Sequence, residues 1–168
     1  NGTAFNISKN RNSLSNMLVS HGNYESNETR LITKLIEPGW TVLDIGANFG
    51  WFSIHLSQLV GINGKVLSFE PVPETYKELI ENKNLNSSNN IKTYNIALGK
   101  SNGIVSFGIP EIDGGLAASS QFLNCKKKIQ VTMHQLDDII EDQNIKHVDF
   151  IKADIEGGEL NMLYGAEK

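Results

Sequence analysis

The sequence predicts an α/β domain built on a doubly wound, mostly parallel sheet. Apolar segments with the length of buried strands alternate with segments of helical periodicity, in the order strand, helix, strand, helix, strand. Several of these strands end in acidic or glycine-rich sequence, and in an open α/β sheet ligands bind beyond the carboxyl ends of the strands. The 168 residues are enough for one domain. We assign it to residues 23–168 and expect residues 1–22, which are polar and weakly periodic, to be irregular.

The first half of the domain supplies three parallel strands and the helices between them. A helix is expected to begin near Ser26 or Asn27, either of which can cap it, and to stop at Pro38-Gly39. Short apolar strands then follow, each separated from the next by residues of helical periodicity. Their predicted bounds are residues 41–45, 65–70 and 91–97.

The second half of the domain has a different pattern. Two strands of alternating polarity, 103–109 and 128–133, are expected to pair antiparallel, with a long polar loop at 111–127 between them. The remaining elements are a short helix carrying Leu136, Ile139 and Ile140, a fourth buried strand at 148–153, and a last helix bearing Leu160 and Leu163.

Right-handed crossovers order the parallel strands three, two, one, four, with strand 148–153 as the fourth. The C-terminal strands that complete a doubly wound sheet are expected to be lacking, which makes the fourth strand an edge. An edge with apolar Phe150 and Ile151 favours pairing with another chain. We therefore predict a homo-oligomer formed through this edge, or coverage of the edge by residues 1–22.

Composition excludes several classes of protein. Fifteen Lys and Arg residues against nineteen Asp and Glu give a net charge of −4 without a basic stripe, which argues against nucleic-acid binding. The sequence has no apolar run long enough to cross a bilayer and no charged-then-apolar leader, so no membrane partner is expected. The single cysteine, Cys125, rules out an internal disulfide and fits a reducing compartment, so we expect a cytoplasmic protein.

The first strand ends in a loop with the pattern Asp44-x-Gly46-x-Asn48-x-Gly50. Its glycines permit a tight turn and a close approach to a ligand, and the helix that follows aims free N–H groups at it. A dinucleotide fold has G-x-G-x-x-G here, whose middle glycine makes room for a pyrophosphate. Because that glycine is absent, the loop suits a smaller group, such as a carboxylate with its neighbouring ammonium. A plain structural turn is the alternative.

The next two strands end in further candidate ligands. Glu70 ends the second strand, where a carboxylate can accept two hydrogen bonds from a ribose diol; the alternative is a solvated surface glutamate. After the third strand, Asn95 and Ala97 offer an amide and a small apolar group that suit an adenine ring. An ordinary strand end would carry the same residue types.

Together these residues resemble the class I methyltransferases that bind S-adenosylmethionine, and within them the FkbM family. The resemblance covers residues 24–168 and rests on three stretches: residues 38–53, Phe69-Glu70-Pro71, and residues 136–138 followed by 149–159. The last stretch is the most specific, because its pattern D-F-I-K-x-D-x-E-G-x-E is long and unlike most methyltransferase sequences.

The resemblance implies a Rossmann-like fold, S-adenosyl-L-methionine as cofactor, and O-methylation of a hydroxyl on a small molecule or sugar. It places the glycine loop at the methionine part of the cofactor, the end of the second strand at the ribose, and the end of the third strand near the adenine. The implied cofactor-binding residues are Asp44, Gly46, Ala47, Asn48, Gly50, Glu70, Pro71, Asn95 and Ala97.

Methyl transfer to a hydroxyl needs alignment of the reacting atoms and a base for the proton. Asp154 and Glu156 flank the end of the fourth strand and are our candidates for the acceptor side, with a structural role as the alternative. Glu159 lies in the first turn of the last helix, where its charge favours the helix dipole. The three carboxylates could also bind Mg²⁺ or Ca²⁺, but partners from a later strand are absent and we predict no metal.

Two other functions remain open. A nucleotide-dependent oxidoreductase would share the fold class, although the missing G-x-G-x-x-G counts against it. A cofactor-binding fragment or interaction module without an intact acceptor site would share the whole first half of the domain.

Overall fold

The computed structural model of the chain describes residues 2–7, 24–109, 118–119 and 127–168. Cys125 and most of the predicted loop at 111–127 lie outside the described residues. In chain order the helices and strands are α1 (Ser26–Leu35), β1 (Thr41–Ile45), α2 (Trp51–Val60), β2 (Lys65–Phe69), α3 (Pro73–Leu85), β3 (Ile91–Tyr94), β4 (Ala97–Leu98), β5 (Gly103–Ile109), β6 (Ala118–Ser119), β7 (Lys127–His134), α4 (Leu136–Asp142), β8 (Phe150–Ala153) and α5 (Glu159–Leu163).

Four strands form a parallel sheet in the order β3-β2-β1-β8. This is the predicted order three, two, one, four, with β8 as the fourth strand. Ile45 at the end of β1 lies opposite Phe69 of β2 and Ala153 of β8. The three strands therefore end level with one another, and the loops that follow them meet at one edge of the sheet.

The sheet is buried on both faces because its strands are almost continuously apolar. Val42 and Val66 face a cluster that includes residues of α1 and α2. Leu43 and Leu67, their neighbours in the chain, face a second cluster that includes residues of α4 and α5. The alternation of strand side chains between two apolar layers makes the domain doubly wound, as predicted.

Residues with a positive φ precede α1 and flank α2 at both ends. α2 begins after Gly50, whose φ is 94°, and ends at Gly61, whose φ is 67°. α1 begins after Glu25, which has a φ of 46°, and no side chain caps its first turn, so the cap predicted at Ser26 or Asn27 does not form. Within the described part of the chain, none of the helices has both the length and the apolar character needed to span a membrane.

A second sheet has the order β4-β7-β5-β6, and β5 pairs antiparallel with β7 as predicted. The prediction of one strand over 91–97 is wrong, because the chain leaves the parallel sheet after Tyr94. The side chain of Asn95 donates hydrogen bonds to the backbone carbonyls of Glu70 and Pro71 at this point. Ala97 and Leu98 then pair with β7, and the second sheet consequently stands beside the end of β2.

The described N-terminal residues, 2–7, form no helix or strand and pack against α2 and α3. Phe5 stacks on Trp51 with ring centroids 4.9 Å apart. The backbone N–H groups on either side of Phe5 donate to the side chains of Asn82 in α3 and of Asn86, which follows α3. These residues therefore do not cover β8. Among the described residues β8 pairs with β1 alone, which makes it the edge of the parallel sheet.

Candidate active site

A cleft of about 550 Å³ opens where β1, β2 and β8 end. The loops after these strands form its floor and sides, and residues of β4, β5 and β7 form the opposite wall. Among the described residues that line it, four carry carboxylates and one carries an ammonium group: Glu25, Glu70, Asp154, Glu156 and Lys100. The cleft therefore has a negative lining that favours a ligand with a positive charge.

The loop after β1 is pulled across the end of β2. The backbone N–H groups of Gly46 and Ala47 both donate to the carbonyl of Phe69, at 3.0 and 2.9 Å. Gly46 has a φ of 78°, and a Cβ on it would lie 2.0 Å from the backbone oxygen of Asp154. Only glycine fits between the two strand ends at this position, so the loop after β1 and the turn after β8 form a single wall of the cleft.

Glu70 is buried and joins the end of β2 to the glycine loop. Its Oε2 accepts a hydrogen bond from the backbone N–H of Asn48 at 2.9 Å, and its Oε1 accepts one from the N–H of Val72 at 2.9 Å. These bonds fix the plane of the carboxylate at the cleft wall. The solvated surface glutamate considered as an alternative is excluded by this geometry.

Asp44 is fully buried and does not line the cleft. One carboxylate oxygen accepts a hydrogen bond from the Ser53 hydroxyl at 2.6 Å, and the other lies 3.6 Å from Nζ of Lys152 on β8. The same ammonium donates to the carbonyl of Gly46 at 3.4 Å and lies 3.8 Å from Oδ2 of Asp154. Lys152 therefore ties the buried carboxylate, the glycine loop and the turn after β8 together.

The turn after β8 presents Asp154 and Glu156 to the cleft. Glu156 has a φ of 54° and Gly157 a φ of 89°, so the chain reverses here in the left-handed region. Partial burial raises the pKa of the Glu156 carboxyl above its ordinary value, and the negative charges of Asp154 and Glu159 raise it further. A carboxylate with a raised pKa is better suited to accept a proton near neutral pH.

The pKa of the Glu159 carboxyl is shifted in the opposite direction from that of Glu156. Its Oε1 accepts hydrogen bonds from the backbone N–H groups of Ile155 at 3.1 Å and Gly157 at 3.4 Å. Hydrogen bonds from its own N–H and from these two groups lower the pKa of the Glu159 carboxyl, against the effect of burial. Glu159 therefore holds the turn that carries Glu156, and it lies in the first turn of α5 as expected, although no side chain caps that helix. Among the described residues, no group of three or more His, Cys, Asp or Glu side chains is placed to hold a metal ion.

The structure divides the predicted cofactor residues into two groups. One group lines the cleft: Gly46, Asn48, Glu70, Pro71 and Ala97. The other stands behind the cleft wall and shapes it: Asp44, Ala47, Gly50 and Asn95. Gly50 belongs with the second group because a Cβ on it would lie 2.7 Å from Cδ1 of Leu79 in α3.

Several residues of the site were not singled out from the sequence. Lys152 lies within the quoted motif, and its position two residues before Asp154 was the signal that could have pointed to it. Phe107, Met133 and Asn161 also line the cleft. They come from distant parts of the chain with no local motif, so their approach depends on the tertiary fold.

The chain is similar in sequence to curated methyltransferases. Methyltransferase sdnD of Sordaria araneosa is 26% identical over 76% of this chain and 60% of its own length. Hexuronic acid methyltransferase AglP of Haloferax volcanii is 25% identical over 84% of this chain and 56% of its own length. The chain thus spans somewhat more than half the length of these curated relatives. A SAM dependent methyltransferase structure from Aquifex aeolicus is 27% identical, with a TM-score of 0.40 over 54% of this chain and 47% of that one.

The family follows from a match along most of the chain. The Methyltransferase FkbM domain family matches residues 44–168. The chain belongs to this family, in agreement with the resemblance of its three motifs.

S-adenosyl-L-methionine is the cofactor that goes with this family, and the residues of the cleft fit it. The close approach at Gly46 leaves backbone rather than a side chain at the β1 end of the cleft. A buried carboxylate, Glu70, stands at the end of β2, and Ile96, Ala97 and Phe107 supply apolar surface beyond it. The negative lining suits the ammonium and sulfonium charges of the cofactor.

Proposed function

We propose that this domain binds S-adenosylmethionine in the cleft and transfers its methyl group to a hydroxyl of a small molecule or sugar. The observation that carries the proposal is the convergence of Gly46, Glu70 and Asp154 on one cleft at the level ends of β1, β2 and β8. In this assignment Gly46 and Asn48 face the methionine part and Glu70 accepts hydrogen bonds from the ribose hydroxyls. Asn95 holds the chain at the adenine end through its bonds to the carbonyls of Glu70 and Pro71.

When bound, the cofactor supplies a methyl group on a positively charged sulfur, which is already a reactive electrophile. The protein's own contribution is then to align an acceptor oxygen and to take its proton. Asp154 and Glu156 are the residues we assign to the acceptor side, because both line the cleft on the turn after β8. The raised pKa of Glu156 makes it the stronger candidate for the base.

The acceptor class is part of the proposal. A sugar is supported by the relative AglP, which is named as a hexuronic acid methyltransferase. Lys100 is the cation among the described residues that line the cleft. If the acceptor is a hexuronic acid, its carboxylate would pair with Lys100, and Lys100→Ala would lower turnover of uronic acids more than turnover of neutral sugars.

Two measurements test the proposal. Calorimetric titration with S-adenosylmethionine, S-adenosylhomocysteine and NAD distinguishes a methyltransferase site from an oxidoreductase site, and we expect binding of the first two only. A mass-spectrometric screen for a gain of one methylene mass, run on neutral sugars, hexuronic acids and small alcohols, then tests turnover. Binding without turnover on any acceptor would favour the alternative, a cofactor-binding module without an intact acceptor site.

A further inference from the structure

Asn82, in the last turn of α3, is a fully buried polar residue outside the cleft. Its Nδ2 donates a hydrogen bond to the backbone carbonyl of Phe49, in the glycine loop, at 2.8 Å. The same nitrogen donates to the backbone carbonyl of Asn6 at 3.0 Å, and its Oδ1 accepts from the backbone N–H of Asn6 at 2.6 Å. A single side-chain amide therefore joins the glycine loop to the N-terminal residues of the chain.

Residues 2–7, which we call the strap, are held at a second point in the same way. Asn86 lies one helical turn after Asn82, and its amide accepts from the N–H of Ala4 at 3.1 Å and donates to the carbonyl of Ala4 at 2.7 Å. Asn82 and Asn86, four residues apart, thus each hydrogen-bond to the backbone of one strap residue, Asn6 and Ala4 respectively. The side-chain hydrogen bonds of Asn86 go to Ala4 and to the carbonyl of Asn82 rather than to the glycine loop.

The strap also packs on the glycine loop through its aromatic side chain. Phe5 meets Phe49 edge to face, with ring centroids 5.9 Å apart, and stacks on Trp51, the first residue of α2, at 4.9 Å. Phe49 is fully buried and Trp51 nearly so. The strap therefore contacts the glycine loop through the Phe5 ring, and Asn82 links it to the carbonyl of Phe49.

We infer that Asn82 and the strap act as positioning elements for the glycine loop, residues 46–50, which the proposed function places against the cofactor. The loop from Gly46 to Gly50 contains two glycines and Asn48, all with positive φ. Glycine loses more conformational freedom on ordering than any other residue, so contacts from outside the loop help to fix its conformation. The bond from Asn82 fixes the carbonyl of Phe49, and the neighbouring N–H of Asn48 is the donor to Glu70. Docking of the strap places Asn82 for that bond, and loss of the strap would leave the carbonyl of Phe49 without its fixed donor.

This inference rests on the proposed function where it speaks of the cofactor, but its first test does not depend on any ligand. The amides of Gly46, Ala47, Asn48 and Gly50 are all hydrogen-bonded in the folded loop, so opening of the loop is visible as faster hydrogen exchange. We expect Asn82→Ala and Phe5→Ala to speed exchange at these amides by about tenfold, the effect of losing one bond to a buried carbonyl. Asn86→Ala removes the exposed bonds to Ala4, while Asn82 and Phe5 keep the strap docked, so it is the matched control and should change loop exchange by less than about twofold.

The second test measures affinity for S-adenosylhomocysteine on the same proteins. We expect Asn82→Ala and Phe5→Ala to weaken binding by about tenfold and Asn86→Ala to leave it near the wild-type value. If the wild-type protein fails to bind this ligand, the proposed function falls, while the exchange measurement still decides the positioning role. If Asn82→Ala does not fold, Phe5→Ala decides it. Unchanged loop exchange in Phe5→Ala, or equal acceleration in Asn86→Ala, would overturn the inference.

Discussion

Lys152 and Asp44 form an ion pair beneath the glycine loop, with Nζ 3.6 Å from Oδ1. The aspartate is fully buried and the lysine side chain is only 15% exposed. A pair of this kind does little for stability relative to an apolar pair, but removal of one partner leaves the other charge uncompensated in the interior. The pair joins β1 to β8, so it holds the two sides of the cleft in register.

The first prediction follows from this pair. Lys152→Met keeps the length of the side chain but leaves the Asp44 carboxylate without its cation, and we expect the free energy of unfolding to fall by about 3 kcal/mol. Denaturant unfolding measures it. Asp44→Asn added to Lys152→Met removes the stranded charge and should recover part of the loss, whereas equal stability of Lys152→Met and wild type would contradict a coupled pair.

The second prediction concerns Gly46. In Gly46→Ala the new Cβ would overlap the backbone oxygen of Asp154, so either the loop or the turn after β8 has to move. Gly39→Ala is the matched control, because Gly39 has a similar positive φ of 90° with open space around its Cβ position. We expect the control to cost about 1–2 kcal/mol from the left-handed backbone alone. Gly46→Ala should cost more and should weaken binding of S-adenosylhomocysteine at least about tenfold; equal behaviour of the two variants would argue against a shared wall.

Glu70 gives the third prediction. Glu70→Ala removes the proposed ribose partner and the acceptor for two backbone N–H groups. We expect a loss of about 2–4 kcal/mol, or about 30- to 1000-fold, in affinity for S-adenosylhomocysteine. Glu70→Gln keeps one acceptor oxygen, but its amide nitrogen must face the N–H of either Asn48 or Val72. The affinity of Glu70→Gln for S-adenosylhomocysteine should lie between that of Glu70→Ala and that of the wild type. A folded Glu70→Ala protein that binds the ligand like the wild type would remove Glu70 from the site.

Much of this architecture could be predicted from the sequence because local signals agreed with the global fold. The apolar segment Thr41–Ile45 and the glycines on either side of α2 predicted a strand, a loop and a helix that the structure contains. The order of the parallel strands followed from the handedness of the crossovers. Glu70 could be assigned to the cleft because it follows a buried strand directly, and the carboxyl ends of parallel strands lie at one edge of such a sheet.

The errors and omissions arise where side chains distant in sequence decide the structure. The chain leaves the parallel sheet after Tyr94 because Asn95 bonds to carbonyls at the end of β2, 24 and 25 residues earlier. Asp44 lies in a motif that suggests ligand contact, but Ser53 and Lys152 enclose it below the loop. Asn82 carried no signal at all, since an asparagine on a helix is ordinarily a solvated residue and only the docked strap makes it a buried bridge.

The fourth prediction uses the raised pKa of Glu156. Asp154 is one cause of the shift, so Asp154→Asn should lower the Glu156 pKa toward its ordinary value. If Glu156 is the base, activity is lost as the pH falls through its pKa, and the acid limb of the pH–rate profile should move to lower pH in Asp154→Asn. Carbon-detected NMR titration of the Glu156 carboxyl measures the shift without reference to turnover.

Variants of Asp154 and Glu156, the proposed acceptor-side residues, can distinguish a catalytic role from a structural one. Asp154→Asn and Glu156→Gln should reduce methyl transfer more than binding of S-adenosylhomocysteine. The corresponding stability effect of Glu156 has a defined sign. Because its pKa is raised in the folded state, ionisation of Glu156 lowers the stability as pH rises from the unfolded pKa through the folded one, and Glu156→Gln should remove that loss. Loss of folding in both variants, with no selective effect on transfer, would make the pair structural.

The last prediction concerns the edge of the parallel sheet. Within the described residues β8 has one strand neighbour, and the strap lies on α2 and α3, so it leaves this edge uncovered. Ile151 on β8 is 42% exposed, and Leu160 and Leu163 on α5 are 62% and 54% exposed. An open strand edge beside apolar surface favours pairing with a second copy. We expect light scattering to show self-association of the 168-residue chain that rises with concentration and is abolished by Ile151→Lys. Ile104→Lys, at an exposed isoleucine of the inner strand β5, is the control; a monomer at every concentration, or equal dispersal by both variants, would disprove association through β8.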